Sequence, residues 1–160
     1  MKLILLILSL YLTGCTNGKY ETFAQIDTLN SQSSKADVEQ YLLTKYKGAD
    51  HEQLYAVAFD DKGKYIADSL IKDGATYRVK YSALMDLYPF VAKTHAKSVW
   101  LIHNHIGTHF ANPSENDLKA ASSFYDFAHR NSIDGHFMIA SDHDFYEQPR
   151  LDYHSRQFDL

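Results

Sequence analysis

Two histidines and one aspartate in the second half of this chain form a set that could hold a metal ion. His103 and His105 follow an apolar run, residues 99–102, that is typical of a buried strand. Residues i and i+2 of a strand project from the same face, so both imidazoles can point to one position where the strand ends. Asp117 stands near the start of a predicted helix. Two imidazoles and one carboxylate suit Zn²⁺ and leave a fourth position for water, which distinguishes a catalytic zinc site from a structural one.

Each of these residues also has a structural interpretation. Paired histidines at a strand end are often polar groups that meet solvent. Ser114 and Asp117 have the spacing of a capping box, in which the serine caps the helix and the acid bonds back to the serine amide. The helix dipole also stabilises an acid in the first turn, so capping and metal binding are partly compatible. If Asp117 only caps its helix, His109 is an alternative ligand.

The order of these residues resembles the JAMM (MPN+) metallopeptidase signature, His-x-His followed by Ser-x-x-Asp. Within that superfamily, His103-Asn104-His105 and the segment 113–117, Pro-Ser-Glu-Asn-Asp, are most similar to the RadC-like branch. The resemblance covers residues 50–147. Three features depart from the usual pattern. Residues 106–108 are Ile-Gly-Thr rather than Pro-Ser-Gly, the loop is one residue longer, and a Pro-Arg pair expected before the motif is absent.

The resemblance implies roles for two further residues. Glu52, at the start of a predicted strand, would be the general base that takes a proton from water and passes it to the leaving amine. Ser114 would donate its hydroxyl to the developing oxyanion, a role worth about 3 kcal/mol in other hydrolases. As ordinary residues, Glu52 would be an exposed polar side chain and Ser114 a helix cap worth about 1 kcal/mol. The implied reaction is hydrolysis of an amide or isopeptide bond in a peptide or protein substrate, with Zn²⁺ as the cofactor.

Hydrophobic periodicity and turn signals predict the elements that position these residues. A hairpin signal, Asp61-Lys62-Gly63, joins the first two predicted strands, and Pro89 is expected to break or kink the second helix. The predicted helices are 37–46, 82–95 and 114–129, and the predicted strands are 53–59, 64–71, 76–79, 98–103 and 137–140. Hairpin and crossover connections together predict an α/β fold with a mixed β-sheet flanked by helices. The resemblance implies an MPN/JAB-like, cytidine-deaminase-like sandwich.

The N-terminus predicts export. Lys2 precedes an apolar stretch of about ten residues, which fits a secretory signal better than a membrane span of about twenty. Leu12-Thr13-Gly14-Cys15 resembles a bacterial lipobox, in which the cysteine is lipid-modified, and Cys15 is the single cysteine of the chain. An ordinary signal peptide with an incidental cysteine is the alternative. The predicted organisation is a signal peptide over 1–14, a lipidated Cys15 with a polar tether over 15–35, and a JAB/RadC-like domain over 36–160.

Composition limits the class of partner. The chain has 160 residues, 45% of them apolar, which suffices for one domain with a real core. Its net charge is −4 with both signs interspersed, so it lacks the basic stripe that nucleic-acid binding needs. We therefore expect a peptide or protein substrate, no nucleic acid, and anchoring to a membrane of the bacterial cell envelope. Thr16 gives no inner-membrane retention signal of the aspartate type, which favours the outer membrane.

Two other functions remain open at this point. The first is a non-catalytic metal- or peptide-binding lipoprotein on the same scaffold, which the altered loop over residues 106–109 favours. The second is a cytoplasmic DNA-repair factor, which requires the leader to be misread. Asp142 and His143 follow a predicted strand, and the resemblance implies a supporting rather than a ligating role for this pair.

Overall fold

The computed structural model of this chain describes residues 28–47, 49–74, 83–107, 111–142 and 144–150. Several predictions fall outside these residues: the signal peptide, Cys15, most of the tether, the strand at 76–79, His109, His143 and the last ten residues of the predicted domain, 151–160. Among the described residues, no helix is both long and apolar enough to cross a membrane.

The described residues form one mixed five-stranded sheet with three helices, which confirms the predicted α/β fold. The sheet order is β2-β1-β3-β4-β5. β3 and β4 run parallel, and the other three neighbouring pairs are antiparallel. The elements in chain order are α1 (Lys35–Tyr46), β1 (Glu52–Phe59), β2 (Tyr65–Gly74), α2 (Ala83–Thr94), β3 (Ser98–Asn104), α3 (Glu115–Arg130), β4 (Asp134–Ala140) and β5 (Phe145–Gln148).

The two faces of the sheet carry separate hydrophobic clusters, and side-chain alternation decides which residues join each. Leu54 and Leu101 belong to the cluster that α2 and α3 cover. Tyr55 and Trp100, one residue away in each strand, belong to the cluster that α1 covers. β3 is buried along its whole length, as its continuous apolar run predicts. A polar side chain at the end of β3 is therefore attached to a strand that is held on both sides by the sheet.

Helices α1 and α3 begin with the same motif. Ser34 caps α1 and exchanges capping-box hydrogen bonds with Asp37, and Ser114 does the same with Asp117 at α3. Leu29 packs against the cluster under α1, and Ser33 is buried. Leu29 and Ser34, which lie within the predicted tether of residues 15–35, thus pack against the cluster under the first helix and cap that helix, respectively.

Two features of the fold differ from expectation. The helix was expected to be broken or kinked at Pro89; a break is wrong, since α2 continues through this residue, and the kink stays a prediction. Pro89 lies on the exposed side of the helix, where water can satisfy the carbonyl that loses its amide partner. The short strand β5 was not predicted. Its four residues pair antiparallel with β4, and so brief an alternation gives little signal in the sequence.

Candidate metal centre

The two histidines lie at the point where β3 ends. His103 pairs with Leu54 of β1 and Ile139 of β4, and its side chain is 1% exposed. His105 follows the strand, and its amide donates to the carbonyl of Ala140 at 2.8 Å. This bond holds the backbone of His105 beside β4. Because both imidazoles are attached to a clamped strand end, their separation is set by the sheet: the two Nε2 atoms lie 3.1 Å apart.

Asp117 brings its carboxylate to the same position from the first turn of α3. Its Oδ1 lies 3.1 Å from Nε2 of His103, and its Oδ2 lies 3.2 Å from Nε2 of His105. Ligands at about 2.0–2.1 Å from a tetrahedral zinc are about 3.3 Å apart. The three side chains thus have donor types that suit Zn²⁺ and contacts close to this spacing. Among the described residues they form a group that could hold a metal ion.

The same carboxylate also caps α3. Its Oδ2 accepts a hydrogen bond from the Ser114 amide at 2.6 Å, while the Asp117 amide donates to Oγ of Ser114 at 3.3 Å. Oδ1 faces His103 and is not the cap oxygen. The capping and ligand interpretations of Asp117 are therefore compatible, because the cap orients the carboxylate with Oδ1 directed at His103, while Oδ2 accepts the cap bond and also lies 3.2 Å from Nε2 of His105.

The charges in this cluster stabilise each other. Burial would raise the pKa of the Asp117 carboxyl, but hydrogen bonds from His103 and His105 outweigh it and hold the pKa well below its usual range. The hydrogen bond to Asp117 raises the pKa of His105 against the effect of burial, and the charges of Asp117 and Glu52 add to the rise. A buried anion facing two imidazole nitrogens is the electrostatic arrangement that a divalent cation would complete.

The ring of His103 is held by packing. Its Nδ1 is buried and has no hydrogen-bond partner within the described part of the chain. The ring of Phe137 lies 5.6 Å away, centroid to centroid, on the neighbouring strand. In most metal sites, a hydrogen bond at the second nitrogen orients the histidine. Here the described contacts that orient the ring are the packing against Phe137 and the contact of its Nε2 with Oδ1 of Asp117.

Glu52, the predicted general base, is the first residue of β1. It lies two residues before Leu54, which is opposite His103, so alternation places Glu52 on the same face of the sheet as that histidine. Its side chain is half-buried, and its charge is felt at His105. The structure thus places Glu52 near the strand ends at which the three candidate ligands meet.

Ser114, the predicted oxyanion donor, is exposed at the cap of α3 and its Oγ accepts from the Asp117 amide. That bond uses the oxygen lone pair and not the hydroxyl proton. Asp142 is also exposed, and no ligating role is visible for it.

Comparison with known families agrees with this geometry. The profile of the RadC-like JAB domain matches residues 32–143, well over half of the chain. The chain belongs to the RadC-like JAB domain family. A search of curated proteins gave no significant match. JAB domains include metal-dependent hydrolases, and the His103, His105 and Asp117 cluster of this RadC-like domain is a possible metal site of that kind.

The contacts of Asn104 in this JAB domain were not predicted from the sequence. Asn104, between the two histidines, is 3% exposed and bonds to the backbone on both sides of Glu52. A polar residue at the end of an otherwise apolar strand could have drawn attention to it. Its partners could not be predicted, since they lie more than fifty residues earlier in the chain.

The second capping box makes a matched test of Asp117 possible. In the metal-free protein we expect Asp37→Asn to cost about 1 kcal/mol of stability, and Asp117→Asn to cost more, because it weakens the contacts with His103 and His105 as well as the cap. Only Asp117→Asn should weaken zinc binding, by about 10- to 100-fold or more, because it removes a charged ligand. The measurement is the zinc-induced rise in melting temperature. Equal rises in both variants would show that Asp117 serves only as a cap.

Proposed function

We propose that this protein is a zinc-dependent hydrolase that cleaves an amide or isopeptide bond in a peptide or protein substrate at the bacterial cell envelope. The observation that carries the proposal is the convergence of three side chains, with Nε2 of His103, Nε2 of His105 and the two carboxylate oxygens of Asp117 joined by contacts of 3.1–3.2 Å, and with Glu52 on the same face of the sheet. A purely structural cluster would not need a partly exposed carboxylate beside it. Membership of the JAB family supports the same reaction class.

Zn²⁺, when bound to His103, His105 and Asp117, would supply Lewis-acid chemistry that polarises a carbonyl and makes water acidic. The chain's own residues would do the rest. Glu52 would accept a proton from the attacking water and return it to the departing nitrogen. Ser114 would donate its hydroxyl to the carbonyl oxygen as negative charge develops there. His105, which is 15% exposed, lies on the accessible side of the cluster, where a substrate carbonyl could approach.

The first experiment is the metal content of the purified domain beginning after Cys15, measured by elemental mass spectrometry. About one zinc per chain supports the site, and the loaded protein is then assayed for release of new amines from peptide and isopeptide pools. Absence of metal after incubation with zinc at neutral pH would contradict the proposal. Wild-type protein treated with a chelator serves as the control for the assay.

A non-catalytic binding protein is the second candidate. The loop that follows the histidines departs from the usual family pattern, and the structure shows Gly107 with a φ of 63°, a left-handed conformation that favours glycine. Zinc bound at full stoichiometry, together with no turnover on any pool and unchanged peptide binding in Glu52→Gln, would favour the binding function.

The role of Ser114 can be separated from capping by a matched pair. Ser34→Ala and Ser114→Ala should each cost about 1 kcal/mol of stability, because each removes a helix cap. Ser114→Ala alone should also lower kcat, by about 100-fold, through loss of an oxyanion donor. Zinc content should stay near that of the wild type. Equal activity in the two variants would assign Ser114 to the cap alone.

The location of the protein rests on Cys15. We propose that this cysteine is lipid-modified and that the domain is anchored to the envelope through it. Cells grown with a radioactive fatty acid should incorporate label into the wild-type protein, and Cys15→Ser should carry none. An unlabelled wild-type protein would overturn the anchor, and cell fractionation would then separate an exported protein with an ordinary signal peptide from a cytoplasmic one.

A further inference from the structure

The proposed base, Glu52, lies at the end of a strand. Glu52 is the first residue of β1, and the pairing of β1 with β3 ends at Leu54 and His103, two residues away. Strand ends open more readily than strand centres, because they have fewer neighbours to hold them. A general base must nevertheless be held close to its working geometry, since a misplacement of about 1 Å can cost about 100-fold in rate. On its other side, β1 is held at Glu52 and Gln53 by pairing with the last two residues of β2, so it is the side facing β3 that needs a further contact.

Asn104 makes that contact. Its Oδ1 accepts a hydrogen bond from the amide of Gln53 at 2.6 Å, and its Nδ2 donates to the carbonyl of His51 at 3.4 Å. The side chain thus holds the backbone immediately before and immediately after Glu52. It continues the ladder between β1 and β3 beyond the last backbone pair. Because the side chain is 3% exposed, water does not readily replace these bonds.

Side-chain alternation separates Asn104 from the metal cluster. His103 lies on the face covered by α2 and α3, so Asn104, the next residue of the strand, projects toward the opposite face. It is therefore not placed to bind the metal or the substrate. Its chemistry also fits the contact, since a carboxamide offers both an acceptor and a donor. Aspartate would keep the acceptor and lose the donor, and alanine would lose both.

We propose that Asn104 is a positioning residue that fixes Glu52 for proton transfer by clamping the backbone of His51 and Gln53. This inference rests on the proposed function, because it assigns Glu52 the role of base. The contact itself can be measured without metal or substrate, so the two proposals can fail separately.

The first test is amide hydrogen exchange in the metal-free protein. Asn104→Ala should speed exchange at the Gln53 amide by about tenfold or more and leave the Ala56 amide, in the middle of β1, unchanged. Asn104→Asp should keep Gln53 protected, because the acceptor remains. Asn131→Ala removes a side-chain bond to the Phe127 carbonyl, far along α3, and should change neither amide. Equal exchange at Gln53 in the wild type and in Asn104→Ala would overturn the proposal.

The second test asks whether Asn104 acts through Glu52. In the zinc-loaded protein, Asn104→Ala should lower kcat by about 10- to 100-fold with KM and zinc content unchanged. In a Glu52→Gln background, the same substitution should have no further effect. Val57→Ala, which trims the core in the middle of β1, is the control for a general loss of stability. An equal fall of kcat in both backgrounds would show that Asn104 does not act through Glu52.

A third readout needs metal but no substrate. In the cobalt-substituted protein, the visible absorption bands change with pH, and the midpoint of that change is measured. Glu52→Gln should shift this midpoint. Asn104→Ala should shift it in the same direction and by a smaller amount. A midpoint that moves in Glu52→Gln alone would overturn the positioning role. If the zinc-loaded wild type hydrolyses no substrate, the proposed function fails, and the exchange and cobalt measurements still decide whether Asn104 holds the backbone beside Glu52.

Discussion

Replacing Glu52 by glutamine is expected to abolish turnover and to leave zinc binding intact. Glutamine has nearly the same size as glutamate and can still accept a hydrogen bond, but it cannot take up a proton. General acid–base catalysis contributes about 10²- to 10⁴-fold, so kcat should fall by that factor. Zinc content should stay at that of the wild type, because Glu52 does not belong to the group formed by His103, His105 and Asp117. The measurement pairs elemental analysis with turnover of the same sample.

Glu115→Gln is the matched control for this substitution. Glu115 is a glutamate two residues before Asp117 in the sequence, but it is exposed and forms a salt bridge with Lys119 at 2.8 Å. Its replacement makes the same change in net charge and should leave kcat within about twofold of wild type, because surface ion pairs contribute little. A Glu52→Gln variant as active as Glu115→Gln would mean that another group takes the proton. A Glu52→Gln variant without zinc would mean that Glu52 helps to hold the metal.

Much of the fold could be predicted because local patterns and tertiary packing agree over most elements. The apolar run before His103 predicted a buried strand, and the hairpin signal at Asp61-Lys62-Gly63 predicted the turn between β1 and β2. α3 was predicted from its capping box and periodicity, within one residue at each end. The effect of Pro89 was harder to predict, because it depends on whether the proline lies on the solvent-exposed side of the helix, and that depends on tertiary packing.

Some features of the candidate site could likewise be predicted from local sequence, and others depend on tertiary packing. The spacing of His103 and His105 on a strand is a local property, so the convergence of the two imidazoles could be predicted. The position of Asp117 relative to them depends on how α3 packs on the sheet, and the sequence left the choice between cap and ligand open. The structure shows that one carboxylate oxygen caps the helix while the other faces His103. Glu52 was found only through the family resemblance, because its neighbours in space are distant in the chain.

Removing both histidines is expected to eliminate the metal site. His103→Ala with His105→Ala takes away two of the three ligands, so zinc content should fall from about one per chain to near zero. Zinc should also cease to stabilise the fold. A ligand at 100 times its Kd stabilises a protein by about 2.7 kcal/mol, and this increment should be present in the wild type and absent in the double variant. Thermal unfolding with and without zinc measures it.

Because His103 is 1% exposed, its replacement by alanine leaves a cavity that costs stability by itself. The single variant His105→Ala, at a position with 15% exposure, avoids this cavity and should still weaken zinc binding by about 10-fold or more. His129→Ala with His136→Ala is the matched control. His136 pairs with Asp134 and Glu147, and His129 is exposed at the end of α3, so neither belongs to the cluster. That variant should keep full zinc content. Zinc lost from the control and retained by the His103 and His105 variants would place the metal at a different site and would remove the basis for a hydrolase.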